Sequence, residues 1–359
     1  MSYEFPTSLR NLYEALFNKL RYHPIEEPTE SEIAASFAPF IKTVNDNINN
    51  KMEITVGKYE AGELIPGIKY NSLTQAVSEA EENAHITVKQ GDYHEPGNIE
   101  IPRSMRITFE LGATIINDSV AGNGYIGYTT NKDLNVTIDG LGCFKKYGFI
   151  AKGAGLNGAG SLGTNINPSA TMNIECLDIE TGGIQLIYWN NLKQINMKFR
   201  NATGVNQTNM FDSDNNSGVA VFDFNRIDCN GTLMDINVHH AADITWKNGY
   251  INHSNGDINI EYLGLDDGKI TFENIRCKTD YTFFLGIASE PGHETILTLK
   301  DSLFETSEKN IFDIETSDII LVNERSYVNK PETGSGVFTG DSLTVEPDME
   351  VYQFGARFN

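Results

Sequence analysis

Basic residues are scarce in this chain relative to acidic ones. Its 359 residues include 27 Lys and Arg against 49 Asp and Glu, which gives a formal net charge of −22. That balance disfavours a nucleic-acid partner, because proteins grip phosphate backbones mainly with Lys and Arg. The charge predicts instead a surface that keeps the protein soluble and resists aggregation. Weak calcium sites built from surface carboxylates are the alternative interpretation.

Long apolar runs are also missing. No stretch approaches the roughly 18 continuous apolar residues of a membrane-spanning helix, so we expect no membrane insertion. The opening residues, Met1–Pro6, lack a basic region followed by an apolar one, so we expect no signal peptide and no export by the Sec route.

Cysteine is rare and is not arranged for metal binding. None of the four cysteines forms a C-x-x-C pair, and no histidine follows at zinc-ligand spacing. We therefore predict no metal site and no cofactor. Buried free thiols that act as small apolar side chains are the expected state of Cys143, Cys176, Cys229 and Cys277.

What the chain does contain is one short phrase that recurs at intervals of 23 to 36 residues. Each copy alternates apolar and polar side chains before a turn-forming residue, which is typical of a half-buried strand. Because such a strand cannot bury its apolar face alone, successive copies must stack into a solenoid. The copies begin at Ile107, Val136, Met172, Ile195, Val221, Ile244, Ile270 and Leu297.

A second series of strand-like segments fits the same coil. Two strand series joined by turns predict an all-β fold, a right-handed single-stranded parallel β-helix with short α-helices at its N-terminus. Asn248, Asn274 and Asp301 end three copies of the first series and should stack as a structural ladder at a tight turn. The second series comprises 209–212, 232–236, 257–260, 281–284 and 310–313.

The chain divides into four segments by pattern. Residues 1–55 contain two amphipathic helical stripes with no core of their own, which predicts a docking segment. Residues 56–116 contain a helix that starts near Ser72 and the first coils. Residues 117–330 form the repeats, and residues 331–359 form a C-terminal cap or oligomerisation tail, because the open end of a β-helix must be covered.

The opening of the solenoid resembles a known superfamily. The sequence Leu73-Thr-Gln-Ala-Val77, followed by His85-Ile-Thr-Val88, Gly91-Asp-Tyr93 and Gly112-Ala-Thr-Ile115, is similar to the start of pectate-lyase-like parallel β-helix proteins. That group includes bacteriophage tailspikes and virion fibres. The resemblance, which covers roughly residues 65 to 330, implies that a helix plugs the end of the solenoid. It implies little about activity, because the superfamily includes lyases, hydrolases and non-enzymatic spikes.

A row of carboxylates is the best candidate for catalysis. Asp212, Asp235 and Asp257 recur at coil spacing, with Asp214 and Glu261 nearby. Strands of adjacent coils lie ~4.8 Å apart, and glycosidases place two carboxyl groups about 5 to 9.5 Å apart. The candidate sugar-stacking platforms are Trp189, Trp246, Tyr250 and Tyr262. A solvated acidic face without catalytic function is the alternative.

Three other motifs carry weaker signals. His239 and His240, with Asp243 and His253, suggest a base group, but neighbouring strand residues point to opposite faces. The Gly-x-Gly-x-x-Gly run in the loop 151–163 lacks the helix that a dinucleotide site needs, so we read it as an excursion from the coil. Members of the superfamily that are pectate lyases carry a calcium-binding aspartate cluster and an arginine. Arg200, Arg226 and Arg276 lie at coil spacing but follow no such cluster.

These features together predict a structural protein of a bacteriophage particle, made in the host cytoplasm. We expect a homotrimeric fibre or spike subunit that binds other virion proteins through residues 1–55. Its solenoid would then engage a host-surface glycan or another fibre. The alternative is a tailspike-like glycoside hydrolase that cleaves host polysaccharide. A free bacterial carbohydrate-active enzyme is a third reading.

Overall fold

A computed structural model describes most of the repeat region of the protein. It covers residues 53–57, 69–120, 122–129, 133–154, 168–205, 210–262, 268–281, 283–287, 295–306, 312–314, 319–330, 334–337, 343–344, 350–353 and 356–358. All of these belong to one compact unit, Met52–Asn359. The two helices predicted before residue 53 and most of the glycine-rich loop lie outside the described residues.

Within these ranges the chain folds into one helix, α1 (Leu73–Glu79), and a succession of short strands. The strands are β1 (Glu53–Val56), β2 (Ala84–Val88), β3 (Gly91–Glu95), β4 (Ile99–Glu100), β5 (Met105–Phe109), β6 (Ala113–Asn117), β7 (Gly124–Tyr128), β8 (Asn135–Gly140), β9 (Cys143–Lys145), β10 (Tyr147–Lys152), β11 (Thr171–Glu180), β12 (Ile187–Asn190), β13 (Gln194–Val205), β14 (Phe211–Asn230), β15 (Met234–Lys247), β16 (Tyr250–Ser254), β17 (Ile258–Tyr262), β18 (Gly268–Glu273), β19 (Arg276–Thr279), β20 (Phe283–Ile287), β21 (Thr295–Lys300), β22 (Leu303–Thr306), β23 (Phe312–Ile314), β24 (Ile319–Glu324), β25 (Tyr327–Lys330), β26 (Gly334–Val337), β27 (Leu343–Thr344), β28 (Glu350–Gln353) and β29 (Ala356–Phe358).

These strands stack in parallel as a β-solenoid with three faces, which confirms the predicted all-β parallel architecture. Face 1 consists of β1, β2, β5, β8, the first parts of β11 and β13, the middle of β14, the end of β15, and β18, β21, β24 and β28. Face 2 consists of β3, β6, β9, the last parts of β11, β13 and β14, and β16, β19, β22 and β25. Face 3 consists of β4, β7, β10, β12, the starts of β14 and β15, and β17, β20, β23 and β27.

The repeated phrase forms face 1, and its alternation sets which side chains enter the core. In β2, β5 and β8 the apolar positions are buried and the intervening polar ones are not. Because side chains alternate across a strand, the same positions of successive coils align as columns inside the solenoid. Ile86, Ile107 and Ile138 follow one another in register in this way.

The predicted asparagine ladder is present at the turn from face 1 to face 2. Asn248, Asn274 and Asp301 have φ angles of 66°, 53° and 50°, the left-handed conformation that Asn and Asp tolerate better than most residues. Asn274 Nδ2 donates to Asn248 Oδ1 at 3.2 Å, and Asn248 Nδ2 donates to Asp223 Oδ1 at 3.1 Å. The ladder thus lets the chain turn sharply without losing contact between coils.

The N-terminal end of the solenoid is closed by α1. The helix begins after the predicted Ser72, whose side chain accepts from Gln75 N, and ends at Glu79. Its buried residues Leu73, Ala76 and Val77 join the core. Strand β1 precedes the helix and pairs with β2, so the boundary of the first segment lies before Glu53 rather than after residue 55. No helix among the described residues is long and apolar enough to cross a membrane.

Two of the last four strands reverse direction, whereas β27 and β28 continue the parallel stacking. Strand β26 pairs antiparallel with β25, and β29 pairs antiparallel with β28. Each covers the outer edge of a strand on the last part of the solenoid. An unpaired edge would otherwise offer free N–H and C=O groups to other chains. The role of residues 331–359 as a cap or oligomerisation tail stays a prediction.

Candidate functional site

The carboxylate row contains two of the three predicted acids. Asp212 and Asp235 are direct partners in the register of face 3. The next position in that row is Asn259, because Asp235 pairs with Asn259. Asp257 precedes the strand, and its backbone O accepts from Leu233 N. The prediction that Asp257 belongs to the row is therefore wrong.

The environments of the two remaining acids differ. Asp212 is only 7% exposed, and its Oδ2 accepts a hydrogen bond of 3.0 Å from Gln185 Nε2. Asp235 lies between the buried Met234 and Ile236, so its side chain points away from the core. Strands on neighbouring coils lie ~4.8 Å apart, close to the ~5–5.5 Å separation of retaining glycosidases. The register thus permits one carboxylate pair.

Polar groups surround this pair on the same face. Tyr188 precedes Asp212 in the row. Its hydroxyl accepts from Asn190 Nδ2 at 2.9 Å, and Lys152 Nζ lies 4.8 Å from its ring centroid. These residues make the surface beside Asp212 polar and partly cationic. Sequence reasoning did not single them out, because they lie on β10 and β12 rather than on the repeated phrase.

The predicted aromatic platforms do not form a sugar-binding surface. Trp189 and Trp246 are 0% exposed, so the prediction that they stack on a sugar is wrong. Tyr250 is half-buried on face 2, where Arg226 and Arg276 lie 5.0 and 5.8 Å from its ring centroid. Both arginines therefore compete with a ligand for the ring. Tyr262 ends β17, and its side chain lies outside the described part, as do those of Asp214, Glu261, His239 and His240.

The arginines at coil spacing are held in ion pairs on face 2. Arg226 donates to Asp228 at 2.5 and 2.7 Å, and Arg276 Nε donates to Glu305 at 2.8 Å. The hydrogen bond from Arg226 holds the pKa of Asp228 below its usual value. Arg200 pairs with Asp178 in the same way. Among the described residues, no three His, Cys, Asp or Glu side chains are grouped closely enough to hold a metal ion.

His253 is a buried structural residue. Its Nε2 lies 2.8 Å from Gly231 O, so this nitrogen carries the proton and donates. Nδ1 then accepts from Thr279 Oγ1 at 2.9 Å. Burial lowers the pKa of His253, and the Gly231 hydrogen bond and the charges of Asp280 and Asp257 offset this only in part. The folded protein thus favours the neutral ring.

We expect acid to weaken the folded state through His253. The pKa of His253 is lower in the folded protein than in the unfolded chain. His253 therefore stabilises the fold fully above the unfolded pKa of ~6.5, and this stabilisation is lost as the pH falls through the folded pKa. The midpoint of urea unfolding should fall between pH 7.5 and pH 5.0. This fall should be smaller for His253→Gln than for the wild type. His94→Gln is the control, because His94 is half-exposed beside Asp118. An unchanged difference in His253→Gln would contradict the assignment.

The cysteines behave as predicted where they are buried. All four are free thiols, and Cys176, Cys229 and Cys277 are buried whereas Cys143 is half-buried. Burial raises the pKa of Cys229 to about 12 and raises those of Cys176 and Cys277 as well. A thiol with a raised pKa is a poor nucleophile. These three therefore serve as small core side chains.

An open groove of about 330 Å³ runs along face 1. Its polar lining comes from two outward rows, whose members lie two residues apart on each strand. One row is uncharged at Thr137, Asn173 and Asn196, and Asn196 Nδ2 donates to Asn173 Oδ1 at 2.8 Å. The other row is charged and alternates in sign from its second member onward; it contains Asp139, Glu175, Lys198, Asp223 and Lys247.

The charges along this groove are paired between coils. Lys198 Nζ lies 3.1 Å from Glu175, and Lys247 Nζ lies 3.8 Å from Asp223. At the edge of the groove, Arg106 lies 2.6 Å from Asp139. The groove is therefore close to neutral within a strongly acidic chain, and it offers amide and hydroxyl groups at coil spacing. The only trace of it in the sequence is the recurrence of acids and lysines at coil spacing in Glu175, Lys198, Asp223 and Lys247.

Comparisons with known proteins found no relative of this chain. No protein-family model, no curated protein and no solved structure matches the chain. The coarse resemblance is supported by the fold itself, which is a parallel β-solenoid.

Proposed function

We propose that the chain is a structural subunit of a bacteriophage particle, a fibre or spike built on a pectate-lyase-like β-helix. In this proposal it forms a homotrimer and binds other virion proteins through the residues before β1. The solenoid projects for attachment to a host-surface glycan or another fibre. The proposal rests mainly on the neutral, amide-lined groove of face 1, whose charges are already paired between coils.

Two physical arguments support this function. In-register stacking of the face 1 strands holds the groove side chains at a fixed spacing of ~4.8 Å, so this face presents a rigid array. Paired charges and amides favour a neutral polyhydroxylated chain over an acidic one, since the net charge of −22 repels acidic polymers. Attachment needs only this array and no reactive group.

The subunit proposal predicts a defined assembly. Light scattering of the full chain should give about three times 39.8 kDa. A second chain lacking residues 1–51 should give a trimer of correspondingly smaller mass, which would place the subunit contacts in the solenoid or tail. This deletion ends before β1, because removing Glu53–Val56 would strip a strand from β2. A monomer in both cases would contradict the trimer.

A second candidate function is cleavage of host polysaccharide by Asp212 and Asp235. The observation that favours it is their direct register and the near-complete burial of Asp212, an arrangement that can separate the roles of two carboxylates. Because Asn259 rather than Asp257 follows Asp235 in the row, Asp212 and Asp235 are the candidate catalytic acids.

Binding and cleavage of host capsule or lipopolysaccharide distinguish the two functions. If the protein only attaches, we expect binding without new reducing ends. Asn196→Ala should then weaken binding several-fold while Asp235→Asn leaves it unchanged. If the protein is a hydrolase, wild-type protein should release reducing ends. Asp235→Asn should then lower the rate by at least about 100-fold, within the range for a lost acid, base or nucleophile. Lys278→Ala, on face 2, is the matched surface control.

A further inference from the structure

Leucines line one corner of the solenoid, where face 1 turns into face 2. Leu111 lies between β5 and β6, Leu141 lies between β8 and β9, and Leu177 lies in β11 where that strand passes from one face to the other. Strand β5 pairs with β8 and β8 pairs with β11, and Leu177 N donates to Gly142 O at 2.9 Å. The three leucines therefore occupy the same corner on consecutive coils, and we call them the leucine corner.

The leucine corner is open to solvent. Leu111 is 66% exposed and Leu141 is 45% exposed, and Leu177 is partly exposed. Among the described residues, the other exposed large apolar side chains are Val120 and Val219. Single exposed apolar residues are ordinary, but exposed apolar residues that adjoin one another are typical of an interaction surface.

The turn itself does not require leucine. The later coils carry polar side chains at the same corner, namely Arg200, Asn225, Asn248 and Asn274. The same change of direction is thus made without apolar side chains. The leucines of the earlier coils expose apolar surface that the fold alone does not need.

Acidic side chains next to the leucine corner are paired with bases. Glu110, at its first coil, lies 2.5 Å from Lys89 Nζ. Asp178, at its third coil, accepts from Arg200 Nε at 3.0 Å. The corner is therefore close to neutral in a chain whose net charge is −22. Copies of so acidic a chain repel one another, so a neutral apolar surface is where they can associate.

We infer that copies of this chain pack against one another through the leucine corner. The inference rests on the homotrimer of the proposed function and specifies its contact. A threefold axis brings the same residues of all three copies together. Like charges would repel there, whereas leucines bury apolar surface against their own copies. The occupant of the corner is thus a second copy of the chain.

Light scattering of the full chain tests this contact. Replacing Leu111 and Leu141 together with glutamate places two acids of each copy at the contact, so the mass should fall from about three times 39.8 kDa to 39.8 kDa. Because both side chains are exposed, circular dichroism should show an unchanged fold. Val219→Glu is the matched control, since Val219 is 41% exposed on face 1. That variant should remain a trimer.

Cysteine cross-linking tests the same contact without adding charge, and it also applies if the glutamate variant does not fold. The full chain first receives Cys143→Ser, which removes the half-buried thiol near the corner. In that background Leu141→Cys should form disulfide-linked dimers when dioxygen oxidises the thiols. Val219→Cys should run as a single chain on a non-reducing gel.

Two kinds of result would overturn the inference. The first is a trimer that persists in the folded glutamate variant, or a trimeric Leu141→Cys variant that does not cross-link. Something other than a second copy would then cover the corner, and the homotrimer itself would stand. The second is a monomeric wild type, which would overturn the homotrimer and this contact together.

Discussion

Replacing Trp246 with alanine should lower the free energy of unfolding by about 3–5 kcal/mol. The indole is fully buried and stacks on Phe272, with ring centroids 5.1 Å apart and planes 14° apart. It also stacks on Phe222 at 5.8 Å. Removing it deletes the transfer free energy of a large side chain and leaves a cavity between two rings.

The cavity should not collapse easily, which places the expected loss in the upper part of the range. Strand β15 is held in register between β14 and β18, so the backbone cannot move inward without breaking both ladders. Trp246→Phe retains a ring for stacking and should lose less. Tyr250 lies on the outer surface of the neighbouring strand β16. Tyr250→Ala removes its cation–π contacts and should lower the free energy of unfolding by only about 0.5–1 kcal/mol.

Chemical denaturation followed by circular dichroism measures these differences, and hydrogen exchange shows where they act. Because a solenoid is stabilised mainly by contacts between neighbouring coils, Trp246→Ala should lose protection first in β14, β15 and β18. A loss below about 1 kcal/mol would contradict the assignment of Trp246 to a rigid core. So would a loss of protection spread evenly along the chain.

The position of Trp246 shows what the repeated phrase could and could not predict. In Ile244-Thr-Trp-Lys-Asn248 the polar Thr245 and Lys247 point outward, so the alternation that predicts the strand also places Trp246 inside. The phrase therefore predicted the fold correctly, and the same pattern argued against an indole platform on the surface. Residue type suggested a sugar-binding role, but periodicity was the stronger evidence.

The error at Asp257 has a similar cause. Aligning the acids by their spacing placed Asp212, Asp235 and Asp257 in one row. The buried residues Phe211, Met234 and Ile258 instead align in register, because packing in the core fixes which residues face each other. Alignment by the apolar positions would have placed Asn259 after Asp235.

Face 2 was harder to recognise from sequence. Several face 2 strands follow face 1 after a turn of only two residues, and in β11, β13 and β14 both faces belong to one continuous strand. A short strand with no separate turn signal merges with its neighbour in any periodicity analysis. The left-handed Asn248 and Asn274 were the local clue that the chain changes direction there.

The groove of face 1 was missed for a different reason. Each lining residue, taken singly, is an ordinary surface side chain. The groove is close to neutral only because charged side chains of neighbouring coils pair with each other, as Lys198 does with Glu175. These contacts join residues separated by one full coil, so only the register brings them together.

Replacing Glu95 with alanine should lower the free energy of unfolding by about 3 kcal/mol, which is the second-largest effect that we expect. Glu95 is 1% exposed. Its carboxylate accepts from Leu73 N at 2.5 Å, Ser72 Oγ at 2.9 Å and Thr74 N at 3.2 Å. It therefore joins β3 to the start of α1, where the helix has unsatisfied N–H groups and a partial positive charge. Alanine would leave these donors without their acceptor.

The effect should be local, because α1 covers only the first coils. Hydrogen exchange should show lost protection in α1, β2 and β3, while β18 and later strands keep theirs. Glu110→Ala is the matched control, since Glu110 is 43% exposed and pairs with Lys89. This variant should lower the free energy of unfolding by less than about 1 kcal/mol. Equal losses for the two variants would contradict the capping role.

Glu95→Gln separates charge from shape at the same position. The amide retains one oxygen that can accept from the helix, but it loses the negative charge and one acceptor. If charge at the helix terminus matters, Glu95→Gln should lie clearly between the wild type and Glu95→Ala. If it matched the wild type, hydrogen bonding alone would hold the cap. If it matched alanine, both carboxylate oxygens would be essential to closing the end of the solenoid.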